Sequence, residues 1–167
     1  ILAANHPDYL VLLYACARLG AMMVPVNWRL AVPEQLYILS DSGAKVLVAI
    51  NTFPAAGAPA LWHLAVDDAV AAGADALIVA DVGLIDYAAR NHPGQRLHLS
   101  VQAAAANPDA IGFYVRHFGI RRVVLPRVLT VPEIAAISRA VDCETEVFIF
   151  GGLCVMAEGR CALSSHV

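Results

Sequence analysis

The feature that most constrains this chain is an alternation. Short β-branched and apolar runs recur between longer Ala- and Leu-rich amphipathic runs, the pattern of βα units around a parallel sheet rather than of a sandwich or a bundle. The spacing predicts a helix that starts around Asn5-His6-Pro7-Asp8, runs from Tyr9 to Leu19 and stops at Gly20, followed by a strand from Met22 to Val26. A second helix opens at Pro33, runs through Leu39 and is closed by Gly43, and Lys45 to Ile50 reads as a buried strand. After a Pro-, Gly- and Ala-rich loop from Pro54 to Pro59, four further units are expected. These are helix Leu61 to Ala72 with strand Ala76 to Ala80, and helix Val82 to Arg90 with strand Leu97 to Val101. Helix Pro108 to Phe118 with strand Val123 to Leu125, and helix Pro132 to Val141 with strand Glu146 to Phe150, complete the set. Parallel strands joined by helices require right-handed crossovers, so the expected fold class is α/β, as an open doubly wound sheet or a partial, incomplete TIM-like barrel.

The 167 residues are one ordinary domain's worth of chain. Hydrophobic residues make up 59% and charged residues 15%, which excludes a disordered chain. The mean hydropathy of +0.64 raises the question of a membrane, but Arg, Asp, Asn or His cuts every apolar run short of a spanning helix. With 11 basic against 14 acidic residues and Arg121-Arg122 as the one basic pair, charge offers no case for nucleic acid. Four cysteines are too few for a disulfide framework, so reduced thiols and a cytoplasmic location are expected. The chain opens on Ile1 with no signal-peptide pattern, and its start reads as truncated.

In βα architectures, ligands bind at the carboxyl ends of the strands. The polar residues there are Asn51, Asp81, Gln102 and Arg127, a set expected to line a cavity, although each also reads as a loop-start residue that caps the next helix. His98 and Ser100 share a strand face with Gln102, pointing either into a closed barrel or toward the helices. In the tail, Cys154 and Cys161 stand among glycines beyond the last strand. Thiolates hold soft metals or iron–sulfur clusters, but such clusters need three or four ligands, and buried free cysteines are an equally ordinary reading. Cys16 and Cys143 receive no role. His63, His92 and His117 lack metal-ligand spacing and read as surface or cap residues. Ser164-Ser165-His166 is no catalytic triad, and neither Gly-rich phosphate-loop pattern is present.

Two resemblances then divide the chain. Residues 1–48, with Asn5-His6-Pro7-Asp8-Tyr9, Val24-Pro25-Val26-Asn27-Trp28-Arg29-Leu30 and Ser40-Asp41-Ser42-Gly43-Ala44-Lys45-Val46-Leu47-Val48, resemble a helix-strand-helix-strand stretch of AMP-forming acyl-CoA synthetases. That family's phosphate loop, adenine-binding motifs and catalytic lysine are not in this chain. Residues 46–167 instead resemble the collagenase-like peptidase U32 family, most of all its member in oxygen-independent ubiquinone biosynthesis. The segments that carry this are Ala49-Ile50-Asn51-Thr52-Phe53, Gly73-Ala74-Asp75-Ala76-Leu77-Ile78, Ser100-Val101-Gln102-Ala103, Val123-Val124-Leu125-Pro126-Arg127 and the block from Gly152-Leu153-Cys154 to Cys161-Ala162-Leu163-Ser164-Ser165.

This resemblance implies that Cys154 and Cys161 are two of four ligands to a four-iron four-sulfur cluster, the other two falling beyond Val167. It also implies a paralogous protein as heterodimer partner, and strand-end groups such as Gln102 and Arg127 that orient an aromatic substrate. The chain is therefore expected to be a truncated U32-like protein, joined to the synthetase-like piece inside the strand Lys45 to Ile50 and packed with it as one unit. The alternatives are an inactive chimeric fusion product and a fragment of an AMP-forming ligase. Hydrolysis of collagen-like peptides finds no nucleophile and base pair here.

Overall fold

Local turn chemistry starts and stops the helices, and apolar alternation builds the sheet they cover. The computed structural model describes residues 8–20, 31–43, 45–55, 57–149 and 158–159. The chain divides into two compact units, Ile1–Val46 and Leu47–Val167. The first carries helices α1 (Asp8–Arg18) and α2 (Val32–Ser42). Pro33 in the first turn and the Glu34 carboxylate, which accepts the Ala31 backbone N–H at 2.9 Å, start α2. The helix extends beyond Leu39 to Ser42 and is closed, as expected, by Gly43, whose φ of 62° supplies a left-handed cap. The helix start expected at Asn5 to Pro7 and the strand expected at Met22 to Val26 lie outside the described residues.

The second unit alternates strand and helix as β1 (Leu47–Ile50), α3 (Ala60–Ala71), β2 (Ala76–Val79), α4 (Val82–Asn91), β3 (Arg96–Leu99), α5 (Pro108–Phe118), β4 (Arg122–Val124), α6 (Val131–Ala140) and β5 (Glu144–Glu146). The expected α/β class holds. Every strand pair is parallel and the spatial order is β1-β2-β3-β4-β5. That order separates the two architectures the sequence left open, because a doubly wound sheet reverses direction at a switch point. Here each crossover steps one strand in the same direction, which for right-handed crossovers sets the helices on one face, as in a TIM-like barrel. β1 and β5 are edges, so among the described residues the sheet is an arc and not a closed barrel.

The strands have two different faces. Leu77, Val79, Leu97, Leu99, Val123 and Leu125 belong to one core with Val66 of α3, Leu84 and Ile85 of α4, Ile111 of α5 and Ile137 of α6. Burying each such side chain stabilises the fold by about 1.5–3 kcal/mol. The residues between them, Ala76 and Ile78 on β2, Arg96 and His98 on β3, Arg122 on β4, and Glu144 and Glu146 on β5, share the opposite, inner face.

Two strand boundaries correct the sequence reading. β3 ends at Leu99 rather than Val101, because the Ser100 hydroxyl accepts the Gln102 backbone N–H at 3.2 Å and turns residues Val101–Ala103 into a 3-10 turn. β5 was expected from Glu146 to Phe150 and lies at Glu144–Glu146. Its register is set by Arg122 against Glu144 and Glu146, and the ladder ends where Pro126, with no N–H to donate, follows Leu125. The apolar Phe148 and Ile149 fall beyond the pairing and are exposed.

Candidate functional site at the carboxyl ends of the strands

Each expected site residue follows a different strand. Asn51 directly follows β1, Asp81 lies just past β2, Gln102 sits in the turn after β3, and Arg127 comes shortly after β4. Since the strands are parallel, all four are brought to one edge of the sheet. Their roles there differ. Asp81 has taken the cap role: its carboxylate accepts the Leu84 backbone N–H at 2.9 Å and starts α4. Its charge is felt by Tyr114 of α5, whose hydroxyl is pushed up first by burial and then by Asp81. Asn51 is half-buried, and its Oδ1 has no hydrogen-bond partner.

Gln102 and Arg127 act together on a turn far along the chain. Gln102 Oε1 accepts the backbone N–H of Gly159 at 2.8 Å. The Arg127 backbone N–H and its Nε–H both donate to Glu158 Oε1, at 3.3 and 3.2 Å. The Arg127 and Glu158 side chains are only 17% and 11% exposed, so this ion pair is far less screened than a surface one. Burial pushes the Glu158 carboxyl up, but its own backbone N–H and Arg127 outweigh that and hold it below the usual carboxylate range. Gly159 has a φ of 76°, and a Cβ there would come within 2.9 Å of the Gln102 carbonyl oxygen. Only glycine fits so closely at that backbone conformation. Sequence reasoning named Gln102 and Arg127 but missed Glu158 and Gly159 as their partners; the run Glu158-Gly159 carries no local sign of a contact made across the fold.

Beneath this edge lies the charged inner face. Arg96 Nη2 reaches Glu144 Oε1 at 2.7 Å, Arg122 Nε reaches Glu144 Oε2 at 2.8 Å, and Arg122 Nη1 reaches Glu146 Oε2 at 3.3 Å. His98 is buried among them, its Nε2 accepting from Arg96 Nε–H at 3.0 Å. Burial first, then the charges of Arg122 and Arg96, lower its pKa.

Cys154 and Cys161 lie outside the described residues. Among the described residues no three His, Cys, Asp or Glu side chains gather as a metal would require. Cys16 belongs to α1, and Cys143 precedes β5 at the opposite edge of the sheet, its thiol pushed up by burial and by Asp142 and Glu144. The described residues therefore do not themselves fit an iron–sulfur cluster. The three scattered histidines have local roles: His92 ends α4 and meets Asp67 at 2.7 Å, His63 stacks on Tyr87 at 3.9 Å, and His117 meets the Phe113 carbonyl oxygen.

A one-directional arc of βα units with a polar strand-end rim defines the class of protein. The peptidase family U32 model matches residues 31–167, and the chain belongs to that family. The structure of the U32 peptidase Mk0906 superposes with a TM-score of 0.55 at 19% identity, covering 75% of this chain and 54% of that one, which supports the same fold. The chain is 45% identical over 94 residues to the tRNA hydroxylation protein P of Haemophilus influenzae, covering 56% of this chain and 20% of that protein. It thus spans about a fifth of that relative's length. A feruloyl-CoA synthase from Amycolatopsis is 55% identical over 47 residues, which is 28% of this chain and 10% of that protein. Among the described residues no helix is long and apolar enough to cross a membrane.

Proposed function

We propose that this chain forms part of the barrel of a U32 protein of oxygen-independent hydroxylation, with its strand ends holding a cysteine-bearing segment beside a planar aromatic substrate. The supporting observation is the grip of Gln102 and Arg127 on Glu158 and Gly159, which stand between Cys154 and Cys161 in the sequence. Those two thiols are the proposed ligands toward a four-iron four-sulfur cluster. Such a cluster takes four ligands, so this reading requires two more, from a paralogous partner or from sequence outside these 167 residues. Arg127 stays charged and Gln102 does not titrate, so their part is to position and not to move protons.

The relative named for tRNA hydroxylation supports the ring of an RNA base as substrate, and the resemblance to the ubiquinone member supports a phenolic ring. Uracil, cytosine, guanine and phenolic rings are all planar and bear an oxygen acceptor. In this reading residues 1–48 are a synthetase-like segment joined near β1, without the phosphate loop an adenylating ligase needs.

Anaerobic reconstitution of the chain with iron and sulfide tests the cluster. The expected result is a charge-transfer absorption that disappears in Cys154→Ser and in Cys161→Ser; a wild-type chain that takes up no iron overturns it. Release of pyrophosphate from ATP with an aromatic carboxylic acid would establish ligase activity instead.

A further inference from the structure

Buried polar atoms without partners are rare and costly, so each one calls for a reason. Two are found among the described residues, Nδ1 of His98 and Oδ1 of Asn51. His98 is 3% exposed and lies on the inner face of β3, with Ile78 of β2 and Arg122 of β4 as its neighbours in register. Its tautomer is set by Arg96. A guanidinium Nε–H can only donate, so the His98 Nε2 it meets at 3.0 Å holds a lone pair and the ring proton rests on Nδ1. Burial and the charges of Arg122 and Arg96 oppose a second proton, while Glu144 and Glu146, which favour one, already pair with those two guanidinium groups. The ring is left neutral, with an N–H donor and no acceptor for it.

The surroundings point toward the strand ends. Ser100 is the next residue on this face, and the Gln102 that holds Gly159 follows it. In the row of Ser100, β2 continues into Ala80, a small side chain. Ile50, the last residue of β1, belongs to the core, and Asn51 follows it at the strand end as Ala80 follows Val79 of β2. A donor without a partner on β3 and an acceptor without a partner after β1 thus lie on either side of β2, whose Ile78 is the neighbour of His98 in register.

We infer that His98 is the residue that recognises the substrate ring, its Nδ1–H donating to a ring oxygen of a planar aromatic molecule, with Asn51 Oδ1 accepting from a ring N–H or O–H. Arg96 is then a positioning residue, since it fixes which imidazole nitrogen carries the proton. The inference rests on the aromatic substrate proposed above and is independent of the cysteines.

Nitrogen-15 NMR of the full chain labelled at histidine tests it, with uridine and 4-hydroxybenzoate as probes. At neutral pH the His98 ring is expected to show a protonated Nδ1 and a bare Nε2, and its Nδ1 resonance is expected to move on addition of a probe. A response to uridine alone marks an RNA base, and to 4-hydroxybenzoate alone a ubiquinone-type precursor. His98→Phe removes the donor and should weaken probe binding about 3- to 10-fold, the worth of one neutral hydrogen bond. Should that variant fail to fold, Arg96→Met carries the test, by letting the proton redistribute to Nε2 and shrinking the probe response. A wild-type ring protonated on Nε2, or an Nδ1 resonance unmoved by both probes at millimolar concentration, overturns the inference. Failure of iron uptake leaves this response intact, so the two readings fail separately.

Discussion

The two faces of the β2–β5 sheet use the same strands to opposite ends. On the helix side, Leu77, Val79, Leu97, Leu99 and Val123 interlock with four helices by shape alone. On the inner side, Arg96, Arg122, Glu144 and Glu146 set the strand register by charge, around one neutral imidazole. The difference teaches that stability resides chiefly on the helix side, and that the inner side holds groups in chosen protonation states. Those states are what a binding surface needs and a core does not.

The comparison can be broken most severely at Leu99, which is wholly enclosed. Leu99→Ala is expected to cost about 2–5 kcal/mol in urea unfolding, and a loss below about 1 kcal/mol would show that the helix side is not the stabilising one. Next comes the rim: Gly159→Ala forces a side chain into a left-handed backbone position beside the Gln102 carbonyl oxygen, at a cost of about 1–2 kcal/mol in urea unfolding, and an unchanged midpoint would show that the rim contact adds nothing.

The inner face should then show itself through pH. The folded pKa of His98 lies below its ordinary 6.5, so as pH falls the unfolded chain binds the proton first. The stability this group contributes is therefore intact above about 6.5 and lost as pH falls through that value toward the folded pKa, a slope that His98→Phe should flatten in thermal melts. The carboxyls held low, Asp67, Glu133, Glu144 and Glu158, act only further down, below their ordinary values of 3.8 to 4.5. The smallest effect is expected from Glu144→Gln. This half-exposed carboxylate lies open to water and salt, so the melting temperature should move little and the change should fade at high ionic strength. A loss rivalling that of Leu99→Ala would reverse the comparison.

What the sequence disclosed follows the range of the interactions. Helix limits were legible because their signals are local: Asn107 and Pro108 open α5, Gly119 closes it with φ 68°, and Thr130 with Glu133 opens α6. Strand limits were less so, because a ladder ends where its partner ends, and the apolar run after Glu146 looked like a better strand than the charged Glu144–Glu146 that Arg122 selects. The direction of the crossovers was invisible to periodicity, which is the same for a wound sheet and a barrel. At the site, the strand-end positions of Asn51, Asp81, Gln102 and Arg127 were readable from the alternation alone. The contact of Arg127 with Glu158 joins residues 31 apart and has no local trace.

The order of the strands also bears on how the chain reaches its fold. Every strand of the arc pairs with the one that precedes it in sequence, across a single helix. Each pairing closes about 20 to 29 residues of chain, and none waits for a more distant part of the sequence. Parallel pairings of this span carry a real closure cost, so the arc is expected to form more slowly than a helical bundle of its length.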